Sequence, residues 1–298
     1  MDPLLHRRAL IAGGVAPHEV RGRLRRRELV GVRRGRYVAG ALPTRPEQRH
    51  LLQVLAAATE LAPDAVVSHV SAAVLHGLPV WGAGLARVHA TRSRRSGARR
   101  GAVTHLHAAR IEADEVVLVR GVRVTSVART AVDCARALPF DAALVVVDAA
   151  LHRHLVTRDE LAGALTRARG RPGVPGAARV LAFADPRPES VGETRSRVAL
   201  RDAGLPVPVL QWPVVTAGGV VLGEVDFGWP ASGVVGEFDG RVEYGRSAAP
   251  GQDPAEVLWA EKRREDAIRA EGLAVVRWTW ADLDAFAPVA ERLRRVLG

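Results

Sequence analysis

The stretch VLGEVDFGWPASGVVGEFDGRVEYG, from Val221 to Gly245, carries Glu224, Asp226, Glu237, Asp239 and Glu243. It alternates like a strand, turns, and alternates again. Glu224 and Asp226 then share one face, and Glu237 and Asp239 share a face of the next strand. If the hairpin closes symmetrically over PASG, Asp226 lies opposite Glu237 and Glu224 opposite Asp239. Opposed side chains have Cβ atoms ~5 Å apart, where like charges destabilise a sheet. Protonation, nearby arginines or a divalent cation must offset that repulsion. A hard, oxygen-only donor set suits Mg²⁺ or Mn²⁺. Such an ion activates water and binds a scissile phosphate. Residues 186–298 contain no His and no Cys, which excludes a zinc site there. The plainer alternative is a solvated hairpin whose acids face water.

The elements around the hairpin parse in the order αβββαβα. PESVGETRSRVALRDAGL reads as a helix with Glu193 in its first turns, VPVLQWPVV as a strand, and GGVVLGEVDFGW and GVVGEFDG as the next two. DPAEVLWAEKRREDAIRAEG is a helix capped by Asp253, with Pro254 at its first position and Gly272 as its stop. LAVVRWTW is the fourth strand, and ADLDAFAPVAERLRRVL closes the sequence as a helix.

The chain has 298 residues and a formal net charge of +11, and its only lysine is Lys262. Residues 1–110 hold 19 arginines against 6 acids, whereas residues 111–298 hold 24 basic residues against 26 acids. The positive field belongs to the front, and a one-sided basic end suggests a polyanion partner. Arg21, Arg23, Arg25, Arg26, Arg27, Arg33, Arg34 and Arg36 crowd into one short segment. A helix from about Pro17 to Arg27 is followed by two short strands around the turn RRGR. That is the plan of a winged helix-turn-helix over residues 1–40, whose helix enters a major groove while wing arginines hold phosphates.

Residues 45–170 read as a middle α/β domain. RPEQRHLLQVLAAATEL and SHVSAAVLHGLPV are helices, the second with Ser68 as N-cap and Gly77 as stop. Strand-like LARVHATR, VTHLHAAR and EVVLVRGVRVTS follow, then helices SVARTAVDCARAL, DAALVVVDAALHRH and TRDELAGAL, the last capped by Thr157. All ten histidines lie at or before His154. His69 with His76, or His105 with His107, match no zinc spacing, so hydrogen bonding at helix ends or interfaces is their expected role. RARGRPGVPGAARV, rich in Gly, Pro and Arg, reads as a loop or linker leading into a helix, and the linker is set at 171–185. Cys134 is the one cysteine, expected as a small buried hydrophobe in a reducing cytoplasm. No apolar run approaches the ~20 residues of a membrane span, and the first residues lack the apolar core of a signal peptide.

Glu193 on a first helix, Asp226 ending one strand and Glu237 on the next resemble the PD-(D/E)XK, restriction-endonuclease-like fold. More narrowly, EVDFGWP, GVVGEFDGRVEY and KRREDAIRAEGLAVVRWTW are similar to the domain related to very-short-patch-repair endonucleases, across residues 186–285. The front half resembles the AbiEi family of type IV toxin–antitoxin antitoxins, through LIAGGVAPHEVRGRLRRRELVGVRRGRYV, SHVSAAVLHGLP and VTSVARTAVDCAR. These resemblances imply a multidomain α+β or α/β protein: a winged helix-turn-helix at 1–40, an antitoxin-like domain at 45–170, and an endonuclease-like core at 186–298. They imply Asp226 and Glu237 as metal ligands, with Glu193 a further acid. The fold's lysine usually stands two residues after the second-strand acid, where this chain has Asp239. The nearby position before Tyr244 is Glu243. Lys262, on the following helix, is then the residue that orients water or steadies phosphate charge, with Arg241 able to do the second task. The histidine of true very-short-patch-repair enzymes is missing from this module.

Two functions follow. One is a Mg²⁺- or Mn²⁺-dependent DNA endonuclease with the catalytic set Glu193, Asp226, Glu237, Asp239 and Lys262, brought to DNA by the basic front. Residues 185–298 hold 14 basic and 18 acidic residues, so that module needs a tether or a metal to approach phosphates. The other is a cytoplasmic AbiEi-type antitoxin or transcriptional regulator with a cognate toxin as partner and a degenerate nuclease-like part. A protein-binding module whose charge serves solubility is the third and blandest reading.

Overall fold

The computed structural model describes residues 4–94, 97–240 and 254–298, with the backbone alone at 254–258, 260 and 261. Arg241, Glu243, Tyr244 and Asp253 fall outside the described residues or side chains. The chain is a mixed α and β protein with three sheets among the described residues, and it divides into two compact units, Met1–Ala184 and Asp185–Gly298.

The front unit opens with β1 (Leu5–His6), α1 (Arg7–Ala12), α2 (Pro17–Arg25), β2 (Leu29–Arg33) and β3 (Arg36–Ala39). The three strands form a sheet in the order β1-β3-β2. Val20 of α2 is buried against Leu29 and Tyr37, with Leu5, Leu10, Val15 and Leu24 around them. Pro17 starts α2 where its missing N–H is harmless. Gly35, at φ 69°, makes the tight turn between the basic strands.

The next helix, α3 (Pro46–Ala58), joins this sheet to the rest of the unit. Its Leu52 and Ala56 pack on Leu4 and Val38, while its Val54 and Ala57 pack on Val67, Leu75 and Val88. The boundary expected between residues 40 and 45 therefore does not separate two cores, because both are built on one helix.

A six-stranded sheet follows, with β4 (Ala65–Val67), β5 (Val88–Arg92), β6 (Arg99–Arg100), β7 (Thr104–Ala108), β8 (Val116–Val119) and β9 (Val122–Thr125). Their order is β6-β7-β5-β4-β9-β8. A short helix, α4 (His69–Leu75), leaves β4 and ends at Gly77 in the left-handed region. Ser68 precedes α4 but caps nothing with its side chain, because its hydroxyl is bonded to Thr91 and His69 instead.

The sheet is followed by α5 (Val127–Ala137), α6 (Phe140–His152), α7 (Arg158–Arg167) and α8 (Val174–Phe183). Thr157 and Glu160 form a reciprocal capping box on α7. The expected linker at 171–185 is corrected here. VPGAARVLAF forms a full helix, burying Ala177 and Val180, with Val174 and Leu181 against Val132, Ala164 and Ala168. Gly173, at φ 84°, turns the chain into it, and a Cβ there would lie 2.2 Å from the Arg136 carbonyl.

The second unit runs α9 (Val191–Asp202), β10 (Val209–Val215), β11 (Val221–Trp229), β12 (Val234–Asp239), α10 (Pro254–Ala270), β13 (Ala274–Thr279), α11 (Trp280–Asp284) and α12 (Ala287–Leu297). The single closing helix expected from sequence is two. Thr279 and Asp282 cap the first, and Pro288 restarts the second at its first turn. The sheet order is β10-β11-β12-β13. β10, β11 and β12 are antiparallel, and β12 pairs in parallel with β13, which is possible because α10 carries the chain back between them.

Alternation gives this sheet two apolar faces. Val234, Phe227, Trp229, Val276 and Trp278 pack with Leu200 of α9 and Leu293 of α12. Val235 and Val275 pack with Ile268 of α10. Close approach needs missing side chains. A Cβ on Gly192 would fall 1.8 Å from the Phe238 ring, and one on Gly236 would fall 2.6 Å from Trp278.

Alanine is normally the better helix former by about 1 kcal/mol, yet Gly192→Ala overpacks the α9–β12 contact. We expect it to lower unfolding stability by about 1–3 kcal/mol. Gly176→Ala, in α8, meets no atom within 4 Å and should raise stability by about 0.5–1 kcal/mol. Urea midpoints of the two variants, read against the parent chain, check the contrast.

Candidate functional site

The sequence-predicted residues fall in two places, an acidic rung in the second unit and an arginine-rich edge in the front unit. The acidic rung begins at the start of α9. Ser190 caps the helix by accepting the Glu193 N–H at 3.1 Å. The Glu193 carboxylate folds back, and its Oε2 accepts from the Glu189 N–H at 2.8 Å and from Gln211 Nε2 at 2.9 Å. Glu193 is buried. That burial raises its pKa against the pull of these hydrogen bonds.

Gln211 reaches Glu193 because its backbone leaves the strand path. Its φ is 49°, an uncommon value for a residue other than glycine. Register runs Leu210 against Phe227 and Trp212 against Val225, so the missing rung is Gln211 against Asp226. On its other side β11 pairs with β12 only from Phe227–Gly236 to Trp229–Val234. One more step in that register would set Asp226 against Glu237. The ladder stops there, and Asp226 Oδ2 instead accepts the Phe238 N–H at 2.7 Å. Asp226 thus stands where β11 is released by both neighbours.

The electrostatics follow from that position. Burial pushes the Asp226 carboxyl up to about 7, Glu193 adds to the rise, and Glu237 adds less. The Phe238 N–H and Arg264 oppose it. Glu237 is treated differently. Its Oε1 accepts from Arg264 at 2.8 Å and its Oε2 from Arg277 at 2.7 Å. Arg277 also reaches Glu265 at 3.0 Å, which in turn holds Arg269 at 2.6 Å. Of the three ways to relieve the carboxylate repulsion, arginines serve Glu237, while the raised pKa of Asp226 makes its protonation easier.

Glu193, Asp226 and Glu237 are therefore neighbours in one electrostatic field. They do not, among the described residues, form a group of three ligand atoms within 4.8 Å of one another; the group that does is histidine, in the front unit. Asp239 is half-buried at the end of β12, beside Thr279. Lys262 does not join the site. It is exposed and lies two residues before Arg264. At ~100° per residue that is ~200° round the helix, while Arg264 points at Glu237. Gln211, Arg264 and Arg277 complete the site and were not expected. The signal for Arg277 was a lone charge in the apolar strand AVVRWT, and for Gln211 a lone amide in VLQWPVV.

At the front, the eight clustered arginines separate into two sets. Arg23 pairs with Glu19, Arg26 with Glu28 and Arg33 with Glu60, and Arg36 donates to Thr59 Oγ1 at 2.8 Å. Arg21, Arg25, Arg27 and Arg34 are exposed, with no ion-pair partner among the described residues. Arg21 and Arg25 share one face of α2, four residues apart. Arg34 lies in the turn of the wing. Cys134 is fully buried, and burial pushes its thiol pKa up, which removes it as a nucleophile.

Comparison with known proteins adds relatives rather than an activity. The chain is 37% identical over 161 residues to two proteins of Mycobacterium tuberculosis strains, uncharacterized protein MT2308 and uncharacterized protein Rv2248. The match covers 54% of this chain and 54% of each relative, so the chain spans about half the length of the curated relatives it matches. No family model matches. The crystal structure of the RV2827C protein from the same species has a TM-score of 0.39 at 16% identity, covering 72% of this chain and 79% of that one. That likeness is too low to assign a fold.

The raised Asp226 carboxyl has a consequence for stability. Between its ordinary 3.8 and about 7, the folded chain holds a proton that the unfolded chain has released. Folding stability therefore falls as pH rises through that window. Asp226→Asn should remove this fall, on the order of a few kcal/mol, and leave the variant more stable than the parent at pH 8. Urea titrations at pH 5 and pH 8 measure it; an equal fall in parent and variant would reject the assignment.

Proposed function

We propose that the chain is a DNA-binding protein that grips the duplex with α2 and the wing turn between β2 and β3. The observation that carries this is the unpaired set Arg21, Arg25, Arg27 and Arg34 on one small domain. One-signed exposed charge on a helix and an adjacent hairpin favours phosphate contact. Regulatory DNA binding of the AbiEi antitoxin type, with a toxin as partner, is the form of this function that the sequence motifs favour.

The second unit is proposed as an endonuclease-type scaffold. Its αβββαβ order and its parallel β12–β13 pair support that reading. A Mg²⁺ or Mn²⁺ would be held by Asp226 and Glu193, whose carboxylates share a buried site with a surplus of negative charge. Glu237 could join only by leaving Arg264 or Arg277. Such an ion supplies water activation and neutralises phosphate charge. Arg264 and Arg277 would face a bound phosphate as fixed positive charges, and Gln211 would orient Glu193. Cleavage is the second reading, favoured by the Asp226–Glu193 pairing. Opposed to it are the closed Glu237 ion pairs, Asp239 at the usual lysine position and the outward Lys262.

Two measurements test these readings. Replacing Arg21, Arg25, Arg27 and Arg34 together by Ala should flatten the slope of log affinity against log salt by about 3–4. Replacing Arg23, Arg26, Arg33 and Arg36 should change that slope by less than half as much. Equal effects would overturn the assignment of the interface. For cleavage, plasmid and oligonucleotide DNA are incubated with Mg²⁺, Mn²⁺ or chelator. Metal-dependent product that disappears in Asp226→Ala and Glu193→Ala, with duplex affinity kept, supports the second reading. No product, or product that survives both substitutions, rejects it.

A further inference from the structure

We propose that His69, His89 and His107 form a zinc-binding centre in the front unit. The three come from separate elements. His69 begins α4, His89 lies in β5 and His107 in β7. β5 and β7 are parallel, with His89 opposite His105 and Thr91 opposite His107. His89 and Thr91 therefore share a sheet face, as do His105 and His107. One nitrogen from each of His69, His89 and His107 lies within 4.8 Å of the others.

The spacing suits a metal. Two nitrogens bound at ~2.05 Å to one tetrahedral zinc are roughly 3.3 Å apart, and their ring centroids roughly 5 Å apart. His107 Nε2 and His89 Nδ1 are 3.1 Å apart. The centroids of His89 and His107 are 5.1 Å apart, and those of His69 and His89 are 5.7 Å apart. The third pair is tighter. His69 stacks on His107 at 3.7 Å, with 13° between planes. Lone pairs lie in the ring plane, so metal entry must part those two rings by roughly 1–1.5 Å.

The surroundings favour ligation. His69 Nδ1 lies 2.9 Å from Ser68 Oγ, and Thr91 Oγ1 donates to that same oxygen at 2.7 Å. Ser68 can accept the Nδ1–H, which would fix the ring and leave Nε2 as the free lone pair, as a second hydrogen-bond partner does for a metal-bound histidine. His69 also has φ 54° while being buried. A non-glycine residue is held there at a cost of about 1–3 kcal/mol, and such strain gathers at working sites. Imidazole donors without carboxylates select zinc over magnesium. Three protein ligands leave a fourth position for water.

The test uses the full-length protein with Zn²⁺ and Co²⁺ as probes. One equivalent of zinc per chain should survive gel filtration, and Co²⁺ should give the visible d–d absorption of a four- or five-coordinate nitrogen site, displaced by Zn²⁺. His89→Ala and His107→Gln should each weaken Co²⁺ binding by roughly 100-fold or more. His105→Ala, next to the cluster but outside it, should change it less than about threefold. Circular dichroism identifies any variant that fails to fold, and the parent Co²⁺ spectrum then decides alone. Absence of that spectrum with less than a tenth of an equivalent of zinc retained, or equal binding by parent and folded ligand variants, would overturn the proposal.

Discussion

A charge taken out of water has to be answered within a few ångströms. In the front unit Arg129 is 1% exposed, and it donates to Glu115 and Asp133 at 2.8 Å each. Asp133 is held further by Arg136, and Glu115 by Arg167. That lattice ties the turn at Ala113–Glu115, just before β8, to α5 and α7. In the second unit Glu237 is answered by Arg264 from α10 and Arg277 from β13, so the pairing crosses three elements. Asp226 is answered differently, by the Phe238 N–H and by a pKa that burial and Glu193 raise. The sheet around it is open because its carboxylate has taken a backbone N–H that the ladder would otherwise use.

The contrast between Asp226 and Glu237 shapes what the second unit can do. Two acids one rung apart would be equivalent on a bare hairpin. Their neighbours make them unlike. Glu237 is a closed ion pair with little to offer a cation, whereas Asp226 and Glu193 are acids short of positive charge. The front arginines show the same distinction. Counting residues gives eight positive charges, but three are paired with Glu19, Glu28 and Glu60, and Arg36 is held in place by Thr59. What a polyanion meets is the remainder.

Much of this was legible in the sequence. Period-2 alternation and the PASG turn placed Asp226 and Glu237 on adjoining strands, and the observed ladder ends at Phe227–Gly236, one step short of that rung. Thr157 with Glu160, Gly77 and the αβββαβ order were readable because capping and turn chemistry are local. The rest depends on contacts between distant segments. Arg264 and Arg277 could not be tied to Glu237 before the parallel β12–β13 pairing was known. The helix at Val174–Phe183 was hidden by its Gly and Pro content, although its apolar residues stand at helical spacing. The clustering of His69, His89 and His107 was not legible because α4, β5 and β7 each supply one ring, and sequence distance says nothing of a sheet that inserts one strand between others.

β10 lies at the rim of its sheet, with Val207 and Val209 exposed beside it. An apolar rim strand invites another chain to zip onto it and begin a fibre. Gln211 in the left-handed region and Pro213 two residues later spoil the flat row of donors and acceptors such a guest would need. The twist that aims an amide at Glu193 thus also guards the molecule against self-assembly by its own edge.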